Sequence, residues 1–321
     1  MAEPGAEQAK KSLKMNPYSY QSGVPTFNLR WKEITKRWSC RLVDFPSAFH
    51  NSHWGSNIVR GEYFQPLHSN DVQLAILLHG MGDHSVIPCK LLARALASNG
   101  IACLILYLVV HSSRMPEMMG PQFPHLTSEE WFQVYQTSVI EVRQVIDWAS
   151  SREEIDREKV AVVGISFGGF VSAIAMGIDQ RIGAGVFIVA GGNNEKISHG
   201  GSLSTIMRGY RRTEAEYQHI QQSYLQYLAQ VAEKGFEKVN PPRKSFLTDP
   251  MTFAHRLRQR PVLMINARWD EAISAEATLD FWRESGEPDI MWLPATHATI
   301  WLWYPFISRK IAGFLRATFG K

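Results

Sequence analysis

Two hydrophobic rhythms alternate along the chain. Short, nearly unbroken apolar runs fall at Val72–Leu78, Ala102–Leu108, Lys159–Val163, Gly185–Ala190, Val262–Asn266 and Ile290–Leu293. Runs of this length without a polar face read as strands covered on both sides. Between them, apolar residues recur at helical spacing. Ile87, Leu91, Leu92, Ala95 and Leu96 mark one helix; Trp131, Val134, Tyr135, Val139, Val142, Val145, Ile146 and Trp148 mark another, running from Ser128 to about Ser150. Further helices are expected near Glu276–Ser285 and from Thr299 to Phe319. Acids in the first turn at Glu129 and Glu130 suit the positive end of the helix dipole. Strands alternating with helices predict an α/β chain whose mostly parallel sheet carries helices on both faces.

The rhythm breaks in three places. Residues 1–25 are polar and rich in Lys, Gln, Ser and Pro, and read as a flexible or surface-draped arm. Residues 26–66 hold aromatic and β-type pieces (Phe27–Trp31, Trp38–Phe45, Ile58–Phe64) cut by Pro, Asn and Gly, which fits short strands and loops. Residues 193–249 are polar and tyrosine-rich, with one long helical stretch from about Thr213 to Lys234 before Pro241-Pro242. They read as an insertion over the carboxyl edge of the sheet, where open α/β sheets bind ligands. The domain reading is therefore an arm at 1–25, a core from 26–192 and 250–321, and an insertion at 193–249.

Composition narrows the classes. Hydrophobic residues make up 45% and charged residues 20%, as in ordinary globular chains. Thirty-four basic against 30 acidic residues leave +4, too mild an excess for a nucleic-acid binder, and no basic stripe interleaved with aromatics is present. Cys40, Cys89 and Cys103 have no metal-ligand spacing and read as reduced thiols of a cytoplasmic protein. The start Met1-Ala2-Glu3-Pro4-Gly5 lacks the apolar core of a signal peptide, and no apolar run reaches membrane-spanning length, so no stable membrane anchor is expected. No Gly-x-Gly-x-x-Gly opens a helix after the first strand, so no nucleotide cofactor, and no metal, is expected.

Chemistry enters at Gly164-Ile165-Ser166-Phe167-Gly168-Gly169, directly after the strand at 159–163 and before a run of small residues. Alone, Gly-x-Ser-x-Gly arises by chance in roughly one chain of this size in ten at average glycine usage. Its strand–turn–helix setting is what a nucleophile elbow requires. Side chains at 164 and 168 would strike the adjoining strand and helix, and Ser166 would sit in a strained conformation at the sheet edge. Asp270 follows the strand at 262–266, and His297 follows the strand at 290–293, so both fall at the same edge. A serine hydroxyl needs a base to become a nucleophile. An imidazole titrates near neutrality and can be that base at His297, and Asp270 can fix its tautomer, with Glu271 as the neighbouring rival. The backbone N–H groups of Phe167 and Met81 are the candidate oxyanion donors.

With Leu78-His79-Gly80-Met81-Gly82, the elbow, Asp270 and His297 in hand, the chain resembles the α/β-hydrolase superfamily in its serine esterase, lipase and peptidase branches. The match covers roughly 70–192 and 250–316. The resemblance implies a twisted, mostly parallel sheet of about eight strands with an antiparallel start, and a cap or lid at the insertion. It departs at Thr296, where many members carry Gly before the histidine. The implied activity is hydrolysis of a carboxylic ester through an acyl-serine, with amide or short-peptide hydrolysis, or acyl-ligand binding without catalysis, as alternatives. The implied partner is a small-molecule ester or amide, and a homo-oligomer stays open. His111 and Arg114 are candidate grips for an acidic substrate, and Met115, Met118, Met119 and Phe123 a candidate apolar wall.

Overall fold

The computed structural model describes residues 16–50, 57–67, 70–81, 86–111, 113–114, 126–200 and 212–320. Nine strands form one sheet: β1 (Asn28–Ile34), β2 (Trp38–Pro46), β3 (Ile58–Pro66), β4 (Val72–Leu78), β5 (Ala102–Tyr107), β6 (Ile155–Ile165), β7 (Ile182–Ile188), β8 (Val262–Ala267) and β9 (Asp289–Leu293). Their order is β1-β2-β3-β5-β4-β6-β7-β8-β9. The first three strands pair antiparallel, and β3 meets β5 antiparallel. Every later pairing is parallel.

The expected mostly parallel sheet is present, with nine strands rather than eight. All nine fall on runs that the sequence pattern marks, the edge strand β1 on the piece Phe27–Trp31. Its Trp31 and Ile34 are exposed and interleaved with Arg30, Lys32 and Glu33, and of its residues Leu29 packs against the core. Charges on an edge strand also discourage pairing with other chains.

Eight α-helices are described: α1 (Ile87–Ala97), α2 (Ser128–Ala149), α3 (Phe167–Ile178), α4 (Asn194–Gly200), α5 (Glu214–Lys234), α6 (Met251–Ala254), α7 (Ala275–Glu284) and α8 (Tyr304–Phe319). None is long and apolar enough to cross a membrane. α2 and α5 each open with a capping box, Thr127 with Glu130 and Thr213 with Glu216, which satisfies amides that the first turn leaves unpaired. The final helix was expected from Thr299, but Thr299–Trp303 winds as a 3-10 turn. Pro305 then sits at the start of α8, where a missing N–H costs nothing.

The unbroken strand runs are explained by two cores. Leu74, Ile76 and Leu78 of β4 point into one; Ala75 and Leu77 point into the other. Val160 and Val162 of β6, and Val262 and Met264 of β8, join the first core, and their odd-numbered neighbours join the second. α2, α3 and α7 cover the first face, while α1 and α8 cover the second. Each fully buried aliphatic side chain contributes about 1.5–3 kcal/mol, which outweighs strand propensity.

Residues 193–249 are pinned at their ends by one carboxylate. Asp249 is buried and accepts the N–H groups of Asn193 (2.9 Å), Asn194 (2.5 Å) and Met251 (3.0 Å). Burial pushes its carboxyl above the ordinary value, against the pull of those N–H groups. Asn193 and Gln221 exchange two side-chain hydrogen bonds that hold α5 at the exit of β7. α5 buries Ile220, Tyr224, Tyr227 and Val231 in the same core as α2 and α3. The polar arm is also tied down in part. Tyr18 is fully buried and its hydroxyl donates to the Leu247 carbonyl at 2.6 Å, and the Tyr20 hydroxyl donates to Asp147 Oδ2 at 2.6 Å, so two aromatics anchor a stretch whose polar composition predicted a surface path.

Candidate active site

β4 and β6 lie side by side at the centre of the sheet, and the chain leaves them in opposite directions along it. Crevices open at such a switch point, beyond the carboxyl ends of the strands. Two segments meet there: Gly80-Met81 after β4, and Ser166 after β6.

Ser166 has φ 51° and ψ −117°, a left-handed conformation rare for a residue with a side chain. Its surroundings enforce it. Its N–H donates to Ile188 O at 2.8 Å, and its carbonyl accepts from Gly169 N at 2.7 Å. A Cβ at 164 would lie 2.1 Å from Gly168 O, and one at 168 would lie 2.3 Å from Leu78 O. The helix therefore starts flush against both strand ends, which only glycine permits. The Phe167 ring turns away into the core against Tyr135 (centroids 5.0 Å apart) and Trp131 (6.4 Å). Its N–H is at the first position of α3, where a helix has no partner to offer. Gly80 packs beside the serine: a Cβ there would be 3.5 Å from Ser166 Cβ. The Met81 turn is thus next to the hydroxyl.

The three dispersed side chains meet. His297 Nε2 is 3.0 Å from Ser166 Oγ. His297 Nδ1 is 3.0 and 2.9 Å from the two oxygens of Asp270. Asp270 Oδ1 also accepts Ala272 N–H (2.9 Å) and Ile273 N–H (2.8 Å), so the loop itself fixes the carboxylate. The Asp270 side chain is 5% exposed and that of His297 22%, so the dyad is sheltered on the acid side and open on the serine side. Glu271, the rival acid, serves the loop instead: its Oε2 accepts the backbone N–H of His297 at 3.1 Å. Thr296, the departure from glycine, also acts locally. Thr299 Oγ1 accepts Thr296 N–H (2.9 Å), and Thr296 Oγ1 accepts Thr299 N–H (3.3 Å), a reciprocal pair that closes the turn carrying the histidine.

The sequence reading missed His79. It is fully buried, its Nε2 accepts Leu108 N–H at 3.0 Å, and Nδ1 therefore carries the proton it places 2.8 Å from Gly80 O. This ring ties the end of β5 to the turn beside Ser166. Its position at the end of a nearly unbroken apolar strand was the available signal.

The expected substrate grips need correction. Arg114 is 2% exposed, and its guanidinium forks onto Glu141 of α2 at 2.6 and 2.7 Å while donating to Tyr107 O at 3.0 Å. An arginine whose two terminal nitrogens are held by a buried carboxylate has no fork left for a substrate. His111 is likewise buried, stacked on Tyr107 (centroids 4.4 Å apart), with its Nδ1 bonded to Ser113. Met115, Met118, Met119 and Phe123 lie outside the described residues. All three cysteines are buried and form no disulfide among the described residues, and burial pushes the Cys40 thiol up to about 12, far from nucleophilic.

Comparison with known proteins agrees with this architecture. The family model described as Alpha/beta hydrolase domain containing 18 matches residues 55–274, a span that takes in Ser166 and Asp270 and ends before His297. No sequence relative was found among curated proteins. Among solved structures, the acetyl xylan esterase from Paenibacillus sp. R4 is similar at TM-score 0.63 and 17% identity, covering 98% of this chain and 92% of that one. Acetyl xylan esterase 1 from Thermoanaerobacterium sp. JW/SL YS485 gives 0.61 and 13%, with 97% and 94% covered. A cold-adapted esterase from an Arctic intertidal metagenomic library gives 0.56 and 15%, with 88% and 98% covered. At these identities the likeness is one of fold.

Proposed function

Because the chain belongs to the Alpha/beta hydrolase domain containing 18 family, we propose that it is a serine hydrolase that cleaves carboxylic esters through a covalent acyl-serine. One observation carries the reading: the unbroken path from Ser166 Oγ through both ring nitrogens of His297 to Asp270, with every step at 3.0 Å or less. Asp270 accepts the Nδ1 proton, which leaves the Nε2 lone pair facing the serine hydroxyl.

The reaction follows from that arrangement. His297 takes the proton as Oγ attacks the acyl carbon, and Asp270 stabilises the imidazolium. The carbonyl oxygen becomes an oxyanion between the N–H groups of Phe167 and Met81, which are fixed before reaction begins. His297 then passes its proton to the departing alkoxide. Water, activated by the same ring, attacks the acyl-serine and restores the enzyme. Ester over amide rests on the breadth of ester hydrolysis in the superfamily; amide cleavage would use the same groups.

A fluorophosphonate label and nitrophenyl esters of rising acyl length test this. Labelling should fall on Ser166, and hydrolysis should vanish in Ser166→Ala. Absent labelling at Ser166, with turnover surviving in that variant, would remove the proposal; binding of ester released unchanged would favour a carrier.

A further inference from the structure

The surface beside the triad is apolar where a soluble protein is ordinarily polar. Two residues after His297 the chain enters the 3-10 turn Thr299–Trp303 and then α8. Their inner face is buried at Ile300, Ile307 and Ile311. Their outer face presents Leu302 (82% exposed), Trp303 (38%) and Phe306 (47%). Trp269, adjacent to Asp270, is 63% exposed, and its backbone N–H donates to Ala295 O in the histidine loop. All four large apolar residues are exposed, three of them within nine residues of His297 and the fourth next to Asp270.

Charge gives this face its sign. The chain carries no Asp or Glu after Asp289. Arg309 and Lys310 follow Phe306 by three and four positions, so they share its outer face one turn further on, and both are exposed. Neither forms an ion pair among the described residues.

We propose that this face docks on an anionic lipid bilayer. Leu302 and Phe306 enter the acyl boundary, the indoles of Trp303 and Trp269 lie at headgroup level, and Arg309 and Lys310 rest on lipid phosphates. That division of labour is the one by which amphipathic segments lie on a membrane without crossing it. A bilayer is favoured over a protein partner because the exposed apolar residues are followed, one turn further along α8, by the exposed cations Arg309 and Lys310, which no acid pairs among the described residues. Docking does not require turnover, so it stands or falls separately from the hydrolase reading.

Co-sedimentation of the full chain with phosphatidylcholine vesicles, with and without one-third phosphatidylglycerol, tests it. Binding is expected to the anionic vesicles and to weaken with salt. Each cation near such a surface contributes about fivefold in affinity, so Arg309→Gln with Lys310→Gln should weaken binding by about 25-fold. Leu302→Ser with Phe306→Ser should weaken it more than about tenfold, while hydrolysis of a short soluble ester stays unchanged. Wild-type protein that ignores anionic vesicles, or variants that bind as well as wild type, would overturn the proposal. So would a shift from dimer to monomer in Leu302→Ser/Phe306→Ser on size exclusion, because the face would then belong to a second copy.

Discussion

Replacing Asp270 by Asn isolates the tautomer argument. Asp270 Oδ1 accepts two backbone N–H groups, from Ala272 and Ile273, as well as the Nδ1 contact. An asparagine must keep its carbonyl oxygen on those two donors, because an NH2 there would face N–H with N–H. Its amide nitrogen then takes the place of Oδ2, 2.9 Å from His297 Nδ1. Donor now meets donor unless Nδ1 gives up its proton. The neutral ring shifts that proton to Nε2, and Nε2, 3.0 Å from Ser166 Oγ, no longer accepts from the hydroxyl. The loss should approach the roughly 10⁴-fold of a triad locked in the wrong tautomer, about 5.5 kcal/mol in the barrier. The loop bonds survive, so stability should change by no more than about 1 kcal/mol. Steady-state hydrolysis of a nitrophenyl ester gives kcat, fluorophosphonate labelling gives Ser166 reactivity, and urea unfolding gives the stability. An Asn variant that keeps activity within about tenfold of wild type, while folding normally, would refute the role given to Asp270.

Other consequences follow from the same contacts. Arg114→Met should destabilise by about 3–5 kcal/mol in urea unfolding by stranding Glu141, and Arg114→Met with Glu141→Met should recover most of it. If the single variant instead kept full stability and lost only affinity for acidic esters, the substrate-grip reading would return. Gly168→Ala drives a Cβ to 2.3 Å from Leu78 O and 2.7 Å from His79 O, so it should cost about 1–3 kcal/mol or more and suppress labelling of Ser166. Gly313→Ala, with nothing within 4 Å of the added Cβ in α8, should be neutral to stabilising by up to about 1 kcal/mol in thermal unfolding. Glu62 governs part of the acid response. Burial alone would raise its carboxyl, but hydrogen bonds from Lys32 and Tyr107 hold it below its ordinary 4.5. Its folded pKa is depressed, so its stabilisation is present above about 4.5 and is lost as pH falls through the lower folded value. Melting temperature should drop over that acid window, and Glu62→Gln should flatten the drop; an unchanged slope would contradict it.

The sheet and the candidate site were legible in the sequence to different degrees. Strands buried on both faces show as unbroken apolar runs, and the end of each run marks the sheet edge. Ser166, Asp270 and His297 each follow such an end, so a parallel sheet brings them to one rim before any distance is known. The elbow glycines were legible for the same reason, since a steric need at a turn is local. β1 leaves a weaker pattern than the central strands because at the sheet edge only Leu29 of its residues packs on the core.

Partners distant in the chain were not legible. Arg114 was read as a substrate grip because its partner is remote in sequence; Glu141, in α2, claims it. His79 looked like part of a turn, and only the arrival of Leu108 beside it makes its ring a tie between two strand ends. Leu302, Trp303 and Phe306 have the apolarity of core residues, and only the direction in which α8 turns its inner face leaves them at the surface. Local sterics and strand periodicity are written within a few residues and can be read from them, so the sequence alone determined the class of fold and the rim where Ser166, Asp270 and His297 gather. Which charge is neutralised, and which apolar face is left bare, depends on segments brought together by folding, so the tertiary structure alone decided them.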